Sequence, residues 1–132
     1  MIFLLDTRIL LWAALFADTA ADQLPAEAVR LIRDPGNEVW FSAASIWEVT
    51  IKHGLRQPDF RADPHVLRRS LLDNGYTDLP ITSRHVLEAG RLPRLHKDMF
   101  DRLLIAQATV EGVTLLTSDT AVAAYPGPIR RV

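Results

Sequence analysis

Ile2-Phe3-Leu4-Leu5-Asp6-Thr7 opens the chain with four consecutive apolar residues closed by a carboxylate. A short apolar run without alternation reads as a strand buried on both faces rather than one with a solvent side. Val113-Thr114-Leu115-Leu116-Thr117-Ser118-Asp119 repeats the arrangement near the other end of the chain. With similar runs at 38–42 and 76–79, the sequence predicts strands over 2–5, 38–42, 76–79 and 113–117. Helical patterns fall between them, at about 8–16, 25–33, 43–54, 64–74, 83–90 and 99–111. Asp63 before Pro64 reads as a helix start, and Gly54, Gly75 and Gly112 read as residues just past helix ends. Strands alternating with helices predict an α/β fold whose parallel sheet is covered on both faces. In such sheets the ligand site lies beyond the carboxyl ends of the strands, where Asp6 and Asp119 stand.

The chain has 132 residues, a formal charge of −1 and 48% hydrophobic content, so one compact domain with a single core is expected. The absence of cysteine excludes zinc ribbons, thiol catalysis and disulfide scaffolds. The apolar stretches 1–5 and 9–17 are too short to span a bilayer, and no basic segment precedes the first, so a cytoplasmic location is expected. There is no internal repeat, and neither a P-loop nor a dinucleotide-binding glycine turn. The small net charge hides an asymmetry. Residues 1–51 carry seven acids and three bases, 52–97 five acids and nine bases, and 98–132 four acids and three bases. Arg56, Arg61, Arg68, Arg69, Arg84, Arg91, Arg94 and Lys97 make the middle basic, either as a groove for phosphates or as an ordinary solvated face.

Four acids are not placed like surface groups. Asp6 and Asp119 follow strands, although an acid there also serves as a helix cap or turn residue. Ala44, Trp47, Ile51 and Leu55 share one helical stripe, and Glu48 falls within it, so a buried carboxylate is expected. Alternatively, Glu48 closes a capping box with Ser45 or is neutralised by Lys52 one turn on. A helix starting after Ser42 leaves Glu48 too far along to cap. Asp101 shares a face with Leu104, Ile105 and Ala108, which points it inward, while Asp98 reads as the cap of that helix and His96 as a loop or capping residue. Two carboxylates about 4 Å apart repel by about 4 kcal/mol at an effective dielectric of 20, so a gathering of these acids calls for protonation or a cation. Hard oxygen donors without cysteine or clustered histidine favour Mg²⁺ or Mn²⁺, which suits phosphate ester hydrolysis.

The segments Phe3-Leu4-Leu5-Asp6-Thr7, Ser42-Ala43-Ala44-Ser45-Ile46-Trp47-Glu48 with Ile51-Lys52, His96 through Ala108, and Leu115-Leu116-Thr117-Ser118-Asp119 together resemble the PIN domain, specifically the VapC-like toxins of bacterial toxin–antitoxin pairs. The resemblance runs in order from the first strand to about Asp119 and is weakest over 55–80. It implies a single PIN domain over 1–132, a three-layer α/β/α sandwich with a five-stranded parallel sheet whose fifth strand lies at 129–131. It also implies a Mg²⁺- or Mn²⁺-dependent endoribonuclease with an acidic quartet of Asp6, Glu48, Asp101 and Asp119. In that scheme Asp6, Asp101 and Asp119 ligate the metal, Glu48 acts directly or through water, and Thr7 and Thr117 are supporting polar groups. Family members are typically cytoplasmic homodimers, inhibited by a VapB-like antitoxin whose C-terminal segment places a basic side chain in the acidic pocket, sometimes within a toxin–antitoxin hetero-oligomer. Met99 stands where the family commonly has Pro, and Arg8 where His is frequent; neither departure touches an acid.

Metal-dependent RNA cleavage is therefore the leading expectation, and a non-cleaving PIN-like module that binds RNA or protein is the alternative. A phosphatase of the haloacid dehalogenase type needs a second Asp two residues after the first, where Arg8 stands. Apolar faces in the first two helical segments, Ile9-Leu10-Trp12-Ala13-Phe16 and Ala28-Val29-Leu31-Ile32, read chiefly as core and secondarily as a partner surface anchored by Trp12.

Overall fold

A computed structural model describes residues 1–14, 23–95 and 98–132. Its strands are β1 (Ile2–Leu5), β2 (Glu38–Ser42), β3 (Thr77–Leu79), β4 (Thr114–Thr117) and β5 (Ile129–Arg131). They form one sheet in the order β3-β2-β1-β4-β5, with every neighbouring pair parallel. The helices are α1 (Thr7–Ala14), α2 (Ala26–Arg33), α3 (Ala43–Gly54), α4 (Pro64–Asp73), α5 (Ser83–Arg91), α6 (Met99–Glu111) and the short α7 (Thr120–Ala123). The chain builds outward from β1 to β3 on one side, then returns to lay β4 and β5 on the other, so the order reverses between β1 and β4. A crevice opens at such a switch point, at the carboxyl ends of the two strands.

The two-residue period of the strands sorts their side chains between two helical layers. Phe3, Leu5, Val39, Phe41 and Leu116 pack with α1, α2 and α4 through Ile9, Leu10, Ala28, Leu67 and Leu71. Leu4 and Leu115, paired in register, face the other way onto Leu104, Ile105 and Ala108 of α6 and Val122 of α7. The result is the expected three-layer α/β sandwich. Leu4 and Leu5 are fully buried, and truncating either to Ala is expected to cost about 2–5 kcal/mol.

Local chemistry accounts for most boundaries. Ser42, Asp63 and Asp98 cap α3, α4 and α6 through side-chain oxygens that accept backbone N–H groups, and Pro64 occupies the first turn of α4. Gly112 ends α6 at φ 68° and Gly75 follows α4 at φ 83°, a region that favours glycine. Gly54 is different: it is the last residue of α3, and the left-handed position after that helix is taken by Arg56 at φ 57°. Strands 76–79 and 113–117 each begin one residue later than expected, α1 begins at Thr7, and α5 extends to Arg91. The expected ends of the first helix at 15–16, with Phe16, and the residues His96 and Lys97 lie outside the described residues. α7 was not expected, because four residues carry too little periodicity to register.

A buried polar network ties the second layer together. The Ser42 hydroxyl donates to Gln107 Oε1 at 2.5 Å, and Gln107 Nε2 donates to the carbonyl of Pro80. His85 is fully buried; its Nδ1 accepts from the Thr82 N–H, which assigns the proton to Nε2, 3.0 Å from Glu111 Oε2. Among the described residues no helix is long and apolar enough to cross a membrane.

Candidate active site

Asp6 follows β1 directly, and its N–H donates to the carbonyl of Leu116, so the ladder between β1 and β4 carries it to the switch point. Only 5% of the residue is exposed. The Ile9 N–H donates to Oδ1 at 2.8 Å and the Thr117 hydroxyl to Oδ2 at 2.5 Å. Thr117 Oγ1 in turn accepts the N–H of Asp119 at 3.0 Å, so one hydroxyl links two of the expected acids. Burial is the largest influence on the Asp6 carboxyl and pushes it up from 3.8 to about 6. The hydrogen bonds from Thr117 and Ile9 oppose that rise, while the charges of Asp119 and Glu48 add to it. Thr7, the next residue, donates its hydroxyl to Ser45 Oγ at 3.0 Å and fastens the end of β1 to α3.

Glu48 is buried, with 6% exposure, as expected, but of the apolar stripe that the sequence pattern suggested only Ala44 is buried with it. Trp47 is 51% exposed, Ile51 40% and Leu55 67%; the inward face of α3 is instead Ala44, Ser45, Glu48 and Val49. The apolar stripe used to phase the helix points largely outward, and small residues, which allow close approach to the sheet, turn inward. The capping-box alternative fails because α3 starts at Ala43 with Ser42 as its cap, leaving Glu48 in the second turn. The Lys52 alternative is present: Lys52 Nζ lies 2.5 Å from Glu48 Oε2.

Asp101 stands in the first turn of α6, one turn before buried Leu104 and Ile105, and its N–H is capped by Asp98. Asp119 caps α7, with Oδ1 accepting the Ala121 N–H, and is itself exposed. These four acids line one cleft of about 410 Å³, together with Thr7, Arg8, Trp12, Lys52, Phe60, Asp98 and Ser118. Four chain segments far apart in sequence thus deliver carboxylates to the crevice at the β1/β4 switch point. Among the described residues, no three acidic or histidine side chains stand close enough to hold an ion as they are. Glu48 is paired with Lys52, and one oxygen of Asp119 accepts the Ala121 N–H as a helix cap. The donor chemistry, carboxylate and hydroxyl oxygen with one carboxyl held above its ordinary range chiefly by burial and further by the charges of its neighbours, fits a hard divalent cation.

Phe60 and Trp12 were not anticipated as cleft residues. Phe60 sits in the segment between α3 and α4, where no pattern signals a site, and its ring lies 4.8 Å from the Lys52 ammonium. Trp12 is half-buried, packs against the first core cluster and lines the cleft. The rest of the apolar face on the first two helices is mainly core: Ile9, Leu10, Ala13, Ala28 and Leu31 are buried. The bases of the middle segment that make described contacts take different places. Arg56 and Arg61 line a hollow of about 320 Å³ that shares Phe60 with the acidic cleft, whereas Arg68 pairs with Asp78 on the surface.

Comparison with solved structures finds the same architecture. VapBC2 from Rickettsia felis, bound to a DNA fragment from its promoter, superposes with a TM-score of 0.70 at 17% identity, covering 100% of this chain and 99% of that one. VapBC-5 from Mycobacterium tuberculosis gives 0.63 at 19% identity, covering 99% and 98%. VapC20 from the same organism, a Sarcin-Ricin loop cleaving toxin, gives 0.63 at 16%, covering 94% and 96%. Curated proteins give no significant match. At these identities the likeness speaks for the fold alone, but the family model for the PIN domain matches residues 3–128, from the middle of β1 to the entry of β5. That match spans all four cleft acids and nearly the whole chain, and the chain therefore belongs to the PIN domain family.

Proposed function

We propose that the protein is a Mg²⁺- or Mn²⁺-dependent endoribonuclease, the toxin of a toxin–antitoxin pair, restrained by a VapB-like antitoxin in the cytoplasm. The observation that carries this reading is the convergence of Asp6, Glu48, Asp101 and Asp119 on one cleft at the sheet's switch point in a chain of the PIN family. The fold shared with VapBC complexes and with a Sarcin-Ricin loop cleaving toxin supports it.

Asp6, Asp101 and Asp119 would hold the ion, with Glu48 acting directly or through water. When bound, a divalent ion supplies orientation of the phosphate, a more acidic attacking water and stabilisation of the leaving oxygen. The protein's own contribution is to place the oxygens. The Ile9 N–H and Thr117 hydroxyl hold the Asp6 carboxylate in one orientation, so little reorganisation is needed at that residue. Burial keeps Asp6 poised between proton and cation near neutral pH. Thr7 holds α3, and with it Glu48, against the end of β1. Arg56 and Arg61, in the hollow across Phe60, are suited to backbone phosphates of an RNA passing the cleft. An antitoxin that delivered a basic side chain among these acids would neutralise them and exclude the metal. Homodimer formation belongs to the same proposal, and exposed Trp47, Ile51 and Met99, with Trp47 edge-on to Phe100, offer apolar surface for it outside the first two helices.

The test is cleavage of total cellular RNA by purified, antitoxin-free protein with Mg²⁺ or Mn²⁺, with excess chelator, and with folded Asp6→Ala and Asp101→Ala variants. Metal-dependent cutting that both variants lose is the expected result. Wild-type protein that binds RNA or a protein partner yet cuts no RNA class would replace this proposal with the non-cleaving module.

A further inference from the structure

We propose that Lys52 is a built-in second cation of the acidic cleft, holding Glu48 as its counter-ion so that the cleft takes one divalent ion rather than two; this rests on the metal-dependent reading above. Lys52 and Glu48 are one turn apart on α3, and both line the cleft with Asp6, Asp101 and Asp119. The ammonium lies 2.5 Å from Glu48 Oε2 and 4.8 Å from the centre of the Phe60 ring. It therefore has an anionic partner and an aromatic face, and its side chain is only 25% exposed. Such a cation is not a solvated lysine that moves aside at no cost.

Phosphoryl-transfer sites with two metals set the ions about 3.5–4 Å apart between shared carboxylates. In this cleft the corner where a second ion would share Glu48 is the corner Lys52 fills. A dication brought to that carboxylate would meet a like charge on the same oxygen, in a place too enclosed for solvent to screen the repulsion well. Displacing Lys52 would also break its contact with Phe60. All four acids share the cleft, and among them Glu48 has its Oε2 committed to Lys52. Glu48 then reaches the single ion through water and also positions Lys52, while the ammonium adds fixed positive charge to the cleft.

The experiment counts bound Mn²⁺ per chain by electron paramagnetic resonance of the free ion, with calorimetric titration, on metal-free full-length wild type, Lys52→Met, Lys52→Arg and Glu48→Gln. Wild type and Lys52→Arg are expected to bind one ion and Lys52→Met two, because Glu48 is released to a second cation. Glu48→Gln is expected to keep one ion, since Asp6, Asp101 and Asp119 hold it and the Gln side chain retains an oxygen for a contact through water. RNA cleavage by Lys52→Met should fall about ten-fold or more at low Mn²⁺ and recover with a sigmoidal dependence on the ion, against a hyperbolic one in wild type. Two ions in wild type, or one in folded Lys52→Met, would overturn the role of Lys52 while leaving metal-dependent cleavage intact. No bound ion in wild type would overturn both.

Discussion

Replacing Asp6 by Asn is expected to make the metal-free protein more stable near neutral pH while removing its proposed chemistry. Burial raises the Asp6 carboxyl from 3.8 to about 6, and at about 1.36 kcal/mol per pH unit the folded state then disfavours the ionised form by about 3 kcal/mol. Because the folded chain binds this proton more tightly than the unfolded chain, the stabilising contribution is complete below about pH 4 and is lost as pH rises through about 6. Between about pH 4.5 and pH 7.5 the loss amounts to about 2 kcal/mol. Asn keeps an acceptor for the Ile9 N–H but cannot accept from Thr117 with the atom that replaces Oδ2, a cost of about 1 kcal/mol. Asp6→Asn should therefore exceed wild type by about 2 kcal/mol at about pH 7.5 and match it at about pH 4.5. In urea denaturation with a slope of about 2 kcal/mol/M, that is a separation of about 1 M in midpoint which closes on acidification. Saturating Mn²⁺ should reverse the order, since about 100 times Kd of a ligand specific to the folded wild type adds about 2.7 kcal/mol. A gap between the two proteins that does not change with pH, or a less stable variant at neutral pH, would refute the argument that Asp6 is ionised against the preference of the fold.

Two further predictions concern the framework around the cleft. Gln107→Leu leaves the Ser42 hydroxyl and the Pro80 carbonyl without Gln107 in the interior and should destabilise by about 2–3 kcal/mol in urea; a loss within about 0.5 kcal/mol would show that the network contributes little. Arg102 donates to the carbonyls of Ala89, Leu92 and Pro93 and to the Tyr125 hydroxyl, so Arg102→Ala should cost about 2 kcal/mol and speed amide exchange over 89–95 before it does so elsewhere; unchanged exchange there would show that these bonds do not hold the segment.

Much of the architecture is legible in the chain because the strands of a sheet covered on both faces must be apolar throughout, as Ile2-Phe3-Leu4-Leu5 and Leu115-Leu116 are. Side-chain caps are equally readable, since Asp63 and Asp98 act through bonds to their near neighbours. What the sequence alone does not expose is interaction across distance. Gln107 is a polar residue on an otherwise apolar helix, and only the approach of Ser42, 65 positions earlier, shows why it can be buried. Phe60 has the same character: nothing beside it in the chain marks it as the ring against which Lys52 rests.

Glu48 shows most clearly how a correct expectation can rest on the wrong face. The rule that the apolar stripe of a helix turns inward assumes that burial of large side chains decides the phase. In α3 the helix leaves β2 at once, through Ser42, and Ala44 and Ser45 must pass close to the sheet, so small residues set the phase and Trp47 and Leu55 are turned out. Glu48 then follows Ala44 and Ser45 inward by one helical turn, and Lys52 follows Glu48 by another. The same geometric step therefore buries the carboxylate, supplies its cation from the next turn and leaves apolar side chains on the outside. A helix that looks amphipathic in the ordinary sense instead presents an ion pair to the cleft and an apolar stripe to whatever meets the surface. Both consequences come from the early residues Ser42 to Ser45, which is why Thr7, next to Asp6 in the chain and bonded through its hydroxyl to Ser45, ties the position of Glu48 to that of Asp6.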